Sequence, residues 1–288
     1  MAKFSFSGHE KFHCRQFWLK KGYDFLQEGK TFSDDDAVVA LGVGKNMVNS
    51  IRYWMKAFDL VDEREEPNEI AHYIFDENGE DPYLENIGTS WLLHYNLVTK
   101  GKASIYSLFF NEFRKERIEF TKEQLLGFLR RKCEEESFSV SLNSLSADID
   151  VFIKTYLRPK GKIRNIEDDF SGLLIDFDLL QEFDKSGKEL WYKIESKERE
   201  EIPVEILLFF ILDQKSGNSI SFRDILNGEN SVGMVCAMNE SGLMKKIQKI
   251  LLRFPDQVVF SDDAGIRELQ FREKIDQNSL LENYYYGN

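Results

Sequence analysis

The chain has 288 residues, of which 42% are hydrophobic and 14% aromatic, and its formal net charge is −12. This length and apolar content suffice for two or three compact domains and exclude a largely disordered chain. No apolar run reaches the roughly 18–20 residues of a membrane span, and the first residues lack a signal-peptide pattern, so we expect a cytoplasmic protein without a membrane partner. Three widely spaced cysteines argue against a disulfide framework.

The negative charge is unevenly distributed along the chain. Residues 1–60 carry nine Lys and Arg against seven Asp and Glu, whereas acidic residues outnumber basic ones in the remainder. Three windows contain basic residues and no acidic ones: Ala37–Phe58, Val151–Ile166 and Ser241–Pro255. Because local basic surfaces on an acidic body can meet phosphate, these windows are candidate nucleic-acid contacts. The alternative is that such gaps occur by chance in a chain with 31% charged residues.

The clearest local pattern is a helix-turn-helix in the first window. Apolar spacing predicts helices over Ala37–Leu41 and Lys45–Phe58, with a tight turn at Gly42-Val43-Gly44 between them. In such a unit the second helix presents its first residues to the major groove or the DNA backbone. Its polar side chains, which can reach phosphates and base edges, are Lys45, Asn46, Asn49, Arg52 and Lys56. The alternative is a packing motif with a solvated basic face.

We expect a similar layout to recur along the chain. After the first motif, Ile70–Phe75 suggests a short strand of a wing. Later segments predict helices over Lys122–Glu136 and Leu145–Leu157 and then a hairpin, and a third group follows from Pro203 onward. The predicted fold is mainly α (α+β), with tandem winged-helix or helix-turn-helix units and small β-hairpin wings, in domains 1–117, 118–200 and 201–288. The later basic windows add candidate DNA contacts at Lys160, Lys162, Arg164, Lys245, Lys246 and Lys249.

An imidazole and a carboxylate stand next to each other in Gly8-His9-Glu10, ahead of a predicted helix. Such a pair can ligate a divalent metal or activate a water. The same two side chains can instead cap the helix, and we expect His94 to lie in the core beside Trp91. The spacing of the other carboxylates identifies no metal site, so periodicity and spacing alone do not establish an enzyme.

Several longer stretches within residues 4–113 carry a family resemblance. They are Phe6-Ser7-Gly8-His9-Glu10, Trp18-Leu19-Lys20-Lys21-Gly22-Tyr23-Asp24, Leu41-Gly42-Val43-Gly44-Lys45-Asn46-Met47-Val48, Ser50-Ile51-Arg52-Tyr53-Trp54 and Asp81-Pro82-Tyr83-Leu84-Glu85. Together they resemble the SspB-type family of DNA phosphorothioation nickases. This bacterial family is classed as a domain of unknown function, and its members are encoded beside cysteine desulfurases and PAPS-reductase-like proteins. The chain departs from the family at Lys11 and at His13-Cys14, where the family prefers Thr and small or apolar residues.

The resemblance implies a protein that binds double-stranded DNA and nicks its backbone, together with a cysteine desulfurase and other phosphorothioation proteins. The densest part of the match makes His9, Glu10 and Arg15 the candidate catalytic residues. Nicking by water needs a carboxylate-held divalent metal such as Mg²⁺ or Mn²⁺, for which Glu10, Asp81 and Glu85 are the candidate ligands. Two alternatives stay open: a non-catalytic DNA-binding adaptor that docks the sulfur-transfer enzymes, and a transcriptional regulator. A homodimer is compatible with each.

Overall fold

The computed structural model describes residues 4–158, 172–185, 187, 189–263 and 265–287. Backbone proximity groups the chain into two compact units, Met1–Ile194 and Glu195–Asn288, called here the first and second units. The predicted boundary at residues 200 and 201 lies close to this division, and the predicted boundary at 117 and 118 lies within the first unit. The division into three domains stays a prediction.

Residues 4–116, all of which are described, contain six helices. They are α1 Trp18–Gln27, α2 Ala37–Leu41, α3 Lys45–Ala57, α4 Glu69–Phe75, α5 Ile87–Thr99 and α6 Ser104–Leu108, the last continuing through a π-helical turn, Phe109–Phe113, to Glu116. α5 is apolar on all sides and buried along nearly its whole length, as expected of a central helix. Its His94 is fully buried with Nδ1 3.0 Å from the Tyr156 hydroxyl, which confirms the predicted core position.

Residues 69–75 form helix α4, whereas the sequence pattern predicted a strand of a wing there. The Asn68 side chain caps this helix by accepting a hydrogen bond from the Ala71 N–H at 3.0 Å. Ala71, Ile74 and Phe75 are buried and follow helical spacing. The strand prediction was wrong because the cap and this spacing outweigh the β propensity of the Ile and aromatic residues.

The rest of the first unit combines two helices with a three-stranded antiparallel sheet. Its elements are β1 Glu119–Phe120, α7 Lys122–Glu135, α8 Leu142–Tyr156, β2 Gln181–Asp184 and β3 Leu190–Lys193, with the short 3-10 turn Ile175–Phe177 before β2. Thr121 caps α7, as the sequence predicted, and forms a reciprocal capping box with Gln124. β3 is the central strand in the order β1-β3-β2, and Phe120 lies opposite Tyr192.

The second unit also combines helices with a small three-stranded antiparallel sheet. Its elements are α9 Val204–Gln214, β4 Ser219–Ser221, α10 Phe222–Asn227, α11 Val232–Val235, α12 Glu240–Arg253, β5 Val258–Asp263, β6 Ile266–Phe271 and α13 Gln277–Tyr286. α9 is apolar nearly all round and buried from Ile206 to Leu212. Ser221 caps α10 through the Asp224 N–H, as predicted. The antiparallel strands have the order β4-β6-β5.

The two sheets share one topology. In each, the first strand precedes a set of helices, the other two strands follow as a hairpin, and the last strand pairs with both others. The structure therefore confirms the mixed α+β class among the described residues, with two small antiparallel sheets. The three cysteines are buried and unbridged. None of the described helices combines the length and apolar content that a bilayer crossing requires.

Candidate nucleic-acid interface

A glycine turn sets the start of α3. Gly42 ends α2 in the left-handed conformation (φ +62°), which a residue without a side chain adopts without strain. Gly44 is extended (φ −68°, ψ 159°) and precedes α3, and no side chain caps this helix. The predicted turn is confirmed. Because the first N–H groups of a helix have no acceptor within it, the positive end of α3 can receive an anion.

α3 has one buried and one exposed face. Ile51 and Trp54 are fully buried, and the Trp54 indole Nε1–H donates to the Phe12 carbonyl at 3.1 Å, which ties the helix to the N-terminal segment. The predicted DNA-contacting side chains lie on the other face. Lys45, Asn46 and Asn49 are exposed there, while Arg52 and Lys56 are half-buried.

Arg52 and Lys56 share one carboxylate partner, Glu65. Its Oε1 lies 2.5 Å from Nη2 of Arg52 and 2.5 Å from Nζ of Lys56. Burial of the Glu65 carboxyl acts to raise its pKa, but hydrogen bonds from Lys56 and Arg52 outweigh that effect and hold the pKa below its ordinary value. Sequence reasoning missed this pairing, since Glu65 follows the acid-free window.

A polar cleft of about 290 Å³ runs along the exposed face of α3. Lys45, Asn49 and Arg52 line one side of it, and Asp34 and Asp35 stand in the loop before α2 on the other. The Asp34 carboxylate accepts hydrogen bonds from the Thr31 N–H at 2.7 Å and hydroxyl at 2.8 Å, which lower its pKa. The cleft therefore has a cationic wall on α3 and an acidic wall opposite.

The Gly8-His9-Glu10 segment is held against α3 and α8. His9 is 3% exposed, and its Nδ1 accepts the Lys11 N–H at 3.1 Å. Its Nε2 lies 3.4 Å from Oδ1 of Asp148, without hydrogen-bond geometry. The same carboxylate accepts the Ser7 N–H at 3.0 Å. Both ring nitrogens of His9 thus face protein groups.

Asp148 is the member of this cluster that sequence reasoning missed. It is 1% exposed on α8 and contacts His9, which lies 139 positions earlier in the chain. Of the two acids in α8, Asp148 and Asp150, only Asp148 lies on the buried face with apolar residues such as Leu145 and Ile149. A buried charge requires partners, so this position indicated a long-range contact without identifying its partner.

The remaining predicted catalytic and metal-binding residues lie in separate settings. Glu10 is exposed beside His9, and the Arg15 guanidinium lies 5.2 Å from the centre of the Trp18 ring. Asp81 is buried, and its two oxygens accept the N–H groups of Glu85 (2.8 Å) and Asn86 (3.0 Å).

The predicted set Glu10, Asp81 and Glu85 does not fit a preformed metal centre. Among the described residues, no group of three or more His, Cys, Asp or Glu side chains is arranged to hold a metal ion. The carboxylate of Asp81 instead closes its own loop through two backbone N–H groups. The structure does not gather these three residues into one such group, and their role as metal ligands stays a prediction.

The other basic windows differ from α3. Lys245 of α12 forms a salt bridge with Glu198 and lies 3.8 Å from Glu200. Lys246 is 3% exposed, donates to the carbonyls of Glu200 (2.9 Å) and Ile202, and has its pKa lowered by burial. Its predicted DNA contact is corrected, because a buried ammonium cannot reach phosphate. Lys249 is exposed, whereas Lys160, Lys162 and Arg164 lie outside the described residues.

Comparison with known proteins gives one family and two structural neighbours. The family model described as "Protein of unknown function (DUF4007)" matches residues 6–285. A crystal structure described as magnesium ion-bound SspB has a TM-score of 0.85 and 28% identity, covering 98% of this chain and 88% of that chain. A second SspB crystal structure has a TM-score of 0.84 and 27% identity, with the same coverages. No curated protein matches. The chain belongs to the DUF4007 family, and its predicted resemblance to SspB-type proteins is confirmed.

Proposed function

We propose that the chain is a DNA-binding protein of a bacterial phosphorothioation system and that α3 is its DNA-contacting helix. The observation that carries this proposal is the exposed polar face of α3, on which Lys45, Asn46 and Asn49 lie beside an uncapped helix start. The likeness to SspB structures over 98% of this chain supports the pathway, because the resemblance to the SspB-type family implies a role in DNA phosphorothioation.

The residue types on α3 suit contact with duplex DNA. Lys45 and the N–H groups at the start of the helix bind a backbone phosphate, since charge and helix dipole favour an anion there. Asn46 and Asn49 lie on the same side of the helix. Their amides can form hydrogen bonds with the edges of adenine bases or donate to phosphate oxygens of the DNA backbone. Cysteine desulfurase and other sulfur-transfer proteins are the partners that the family implies.

The shared sheet topology supports winged-helix units as the scaffold. α6, β1, α7, α8, β2 and β3 follow the order of a winged helix. α9, β4, α10, α12, β5 and β6 repeat that order, with the short helix α11 inserted between α10 and α12. α8 is buried over most of its length, and Lys245 and Lys246 of α12 are engaged by protein groups. For these reasons α3, rather than α8 or α12, is the helix to which DNA contact is assigned.

We further propose that the protein nicks the bound DNA by hydrolysing one phosphodiester. A water oxygen bonds to phosphorus and one P–O ester bond breaks, which leaves a hydroxyl end and a phosphate end. One water proton passes to a base and the leaving oxygen takes a proton. The exposed Glu10 carboxylate is the proposed base, and His9 holds its segment in place. The magnesium-bound neighbour supports testing Mg²⁺, although no ligand is assigned to this chain.

Nicking of supercoiled plasmid by the full-length chain, with Mg²⁺ or with EDTA, tests this proposal. We expect nicked circles with Mg²⁺, and we expect Glu10→Gln to lose about 100-fold or more in rate while binding the same DNA. Glu282→Gln, an exposed carboxylate of α13, is the control and should nick like the wild type. Unchanged nicking by Glu10→Gln would remove Glu10 from the reaction.

The second candidate function is a non-catalytic adaptor that binds DNA and docks the sulfur-transfer enzymes. Two observations favour it: both ring nitrogens of His9 face protein groups, and the Asp81 carboxylate is engaged by its own loop. In the plasmid assay this adaptor binds DNA and leaves it intact with Mg²⁺ as well as with EDTA. Binding without nicking would therefore favour the adaptor over the nickase.

A further inference from the structure

One carboxylate oxygen lies between two cations on the proposed DNA-contacting helix. Oε1 of Glu65 is 2.5 Å from both Nε and Nη2 of Arg52 and 2.5 Å from Nζ of Lys56. Arg52 and Lys56 are one helical turn apart, with side chains 41% and 39% exposed, whereas the side chain of Glu65 is 13% exposed. The two cations therefore reach solvent around an anion that is itself mostly covered.

A compact turn presents Glu65 to α3. Asp62 organises this turn, because its Oδ1 accepts the N–H groups of Arg64 (2.8 Å) and Glu66 (3.0 Å). Glu65 itself has a left-handed backbone conformation (φ +67°), which a residue with a side chain rarely adopts. The backbone of this turn thus places the side chain of Glu65 next to the two cations.

A carboxylate and a phosphate offer the same kind of acceptor oxygens to guanidinium and ammonium groups. Arg52 also lines the cleft that Lys45 and Asn49 border, so these two cations continue the proposed DNA-contacting face. We infer that Glu65 occupies, in the free protein, the seat of a DNA backbone phosphate between Arg52 and Lys56, and that DNA binding exchanges the carboxylate for the phosphate. This inference rests on the proposed function of α3.

The exchange makes Glu65 an internal competitor that weakens DNA binding. When DNA binds, its contacts with Arg52 and Lys56 replace the contacts that these cations make with Glu65. Ligands that bind weakly or carry a single phosphate therefore gain little free energy of binding at this place. The opposite role is that Glu65 orients Arg52 and Lys56 and stays paired with them in the complex. The two roles predict opposite signs for removal of its charge.

Binding of the full-length chain to a duplex of about 20 base pairs, titrated against salt, separates them. Glu65→Gln keeps the shape of the side chain and removes its charge. We expect its Kd at low salt to fall about 5- to 30-fold, and its log Kd against log salt slope to steepen by about one, since one fewer negative charge faces the DNA. Glu65→Gly, which suits the left-handed backbone, should tighten binding in the same direction.

Glu63→Gln is the matched control. Glu63 lies two residues away in the same loop, is 89% exposed and pairs with Lys102, so its Kd should change by less than about twofold. If both Glu65 variants bind DNA as the wild type does or more weakly, the exchange is overturned. If wild-type binding still depends on Lys45, the proposed function of α3 stands. Absence of duplex binding by the wild type and by every variant overturns both.

Discussion

α3 and α12 look alike in sequence and differ in what surrounds them. α3 lies in a window with several Lys or Arg and no acid, and so does α12 from Ser241 onward, after its first residue, Glu240. On α3, Lys45 and Asn49 are exposed at a helix start without a side-chain cap. On α12, the Asn239 side chain caps the helix by accepting the Gly242 N–H at 2.8 Å, and Lys246 is buried against carbonyls.

An acid-free window describes only residues that are close in sequence. Whether its basic side chains can bind phosphate depends on the residues that are close to them in the folded structure. Glu198, which pairs with Lys245, is 47 residues away from it in sequence. Glu65 is only 13 residues from Arg52, yet it also falls outside the window. A basic window therefore identifies candidate anion-binding side chains, and the carboxylates that the fold brings beside them decide which ones stay exposed and unpaired, as Lys45 does on α3.

The largest effect we expect concerns the buried charge of the first unit. Asp148→Ala removes the acceptor of the Ser7 N–H and leaves His9 Nε2 facing no carboxylate, so the free energy of unfolding should fall by about 3 kcal/mol. Urea denaturation followed by tryptophan fluorescence measures it. Asp150→Ala, on the same helix with its side chain 48% exposed, should stay within about 1 kcal/mol of the wild type. Equal losses in the two variants would contradict a special role for Asp148.

Replacing Lys246 in the second unit should cause a smaller loss in the free energy of unfolding. This variant tests the contrast between the buried lysine of α12 and the exposed side chains of α3. Lys246→Met keeps the apolar stem but leaves the carbonyls of Glu200 and Ile202 without their donor, which should lower the free energy of unfolding by about 2 kcal/mol. Lys249→Met, exposed on the same helix, should stay within about 0.5 kcal/mol. A Lys246 variant as stable as the Lys249 variant would contradict a structural role for the Lys246 ammonium.

Local chemistry accounts for most of what the sequence predicted about the fold. The Thr121 cap and the left-handed Gly42 are signals read within a few residues. α8 begins three residues earlier than predicted, because the Ser141 side chain accepts the Ser144 N–H. The predicted strand at 70–75 failed because the Asn68 cap was not recognised.

The candidate site was predicted less completely than the fold. The exposed side chains of α3 follow from helical periodicity, which separates Asn49 from the buried Ile51. Asp148 and Glu65 contact residues that only the folded chain brings close to them. No rule of sequence spacing links His9 to a carboxylate 139 residues later. The predicted metal ligands show the same dependence on the fold, since two backbone N–H groups donate to the Asp81 oxygens.

The central claim is that α3 contacts DNA and α12 does not, and the salt dependence of duplex binding tests it most directly. The full-length wild type, Lys45→Ala and Lys249→Ala would be titrated with a duplex of about 20 base pairs across a series of salt concentrations. The account predicts that Lys45→Ala weakens binding about tenfold at low salt and makes the slope shallower by about one, while Lys249→Ala stays within about twofold of the wild type. Wild-type affinity and slope in Lys45→Ala, or a larger loss in Lys249→Ala, would contradict it.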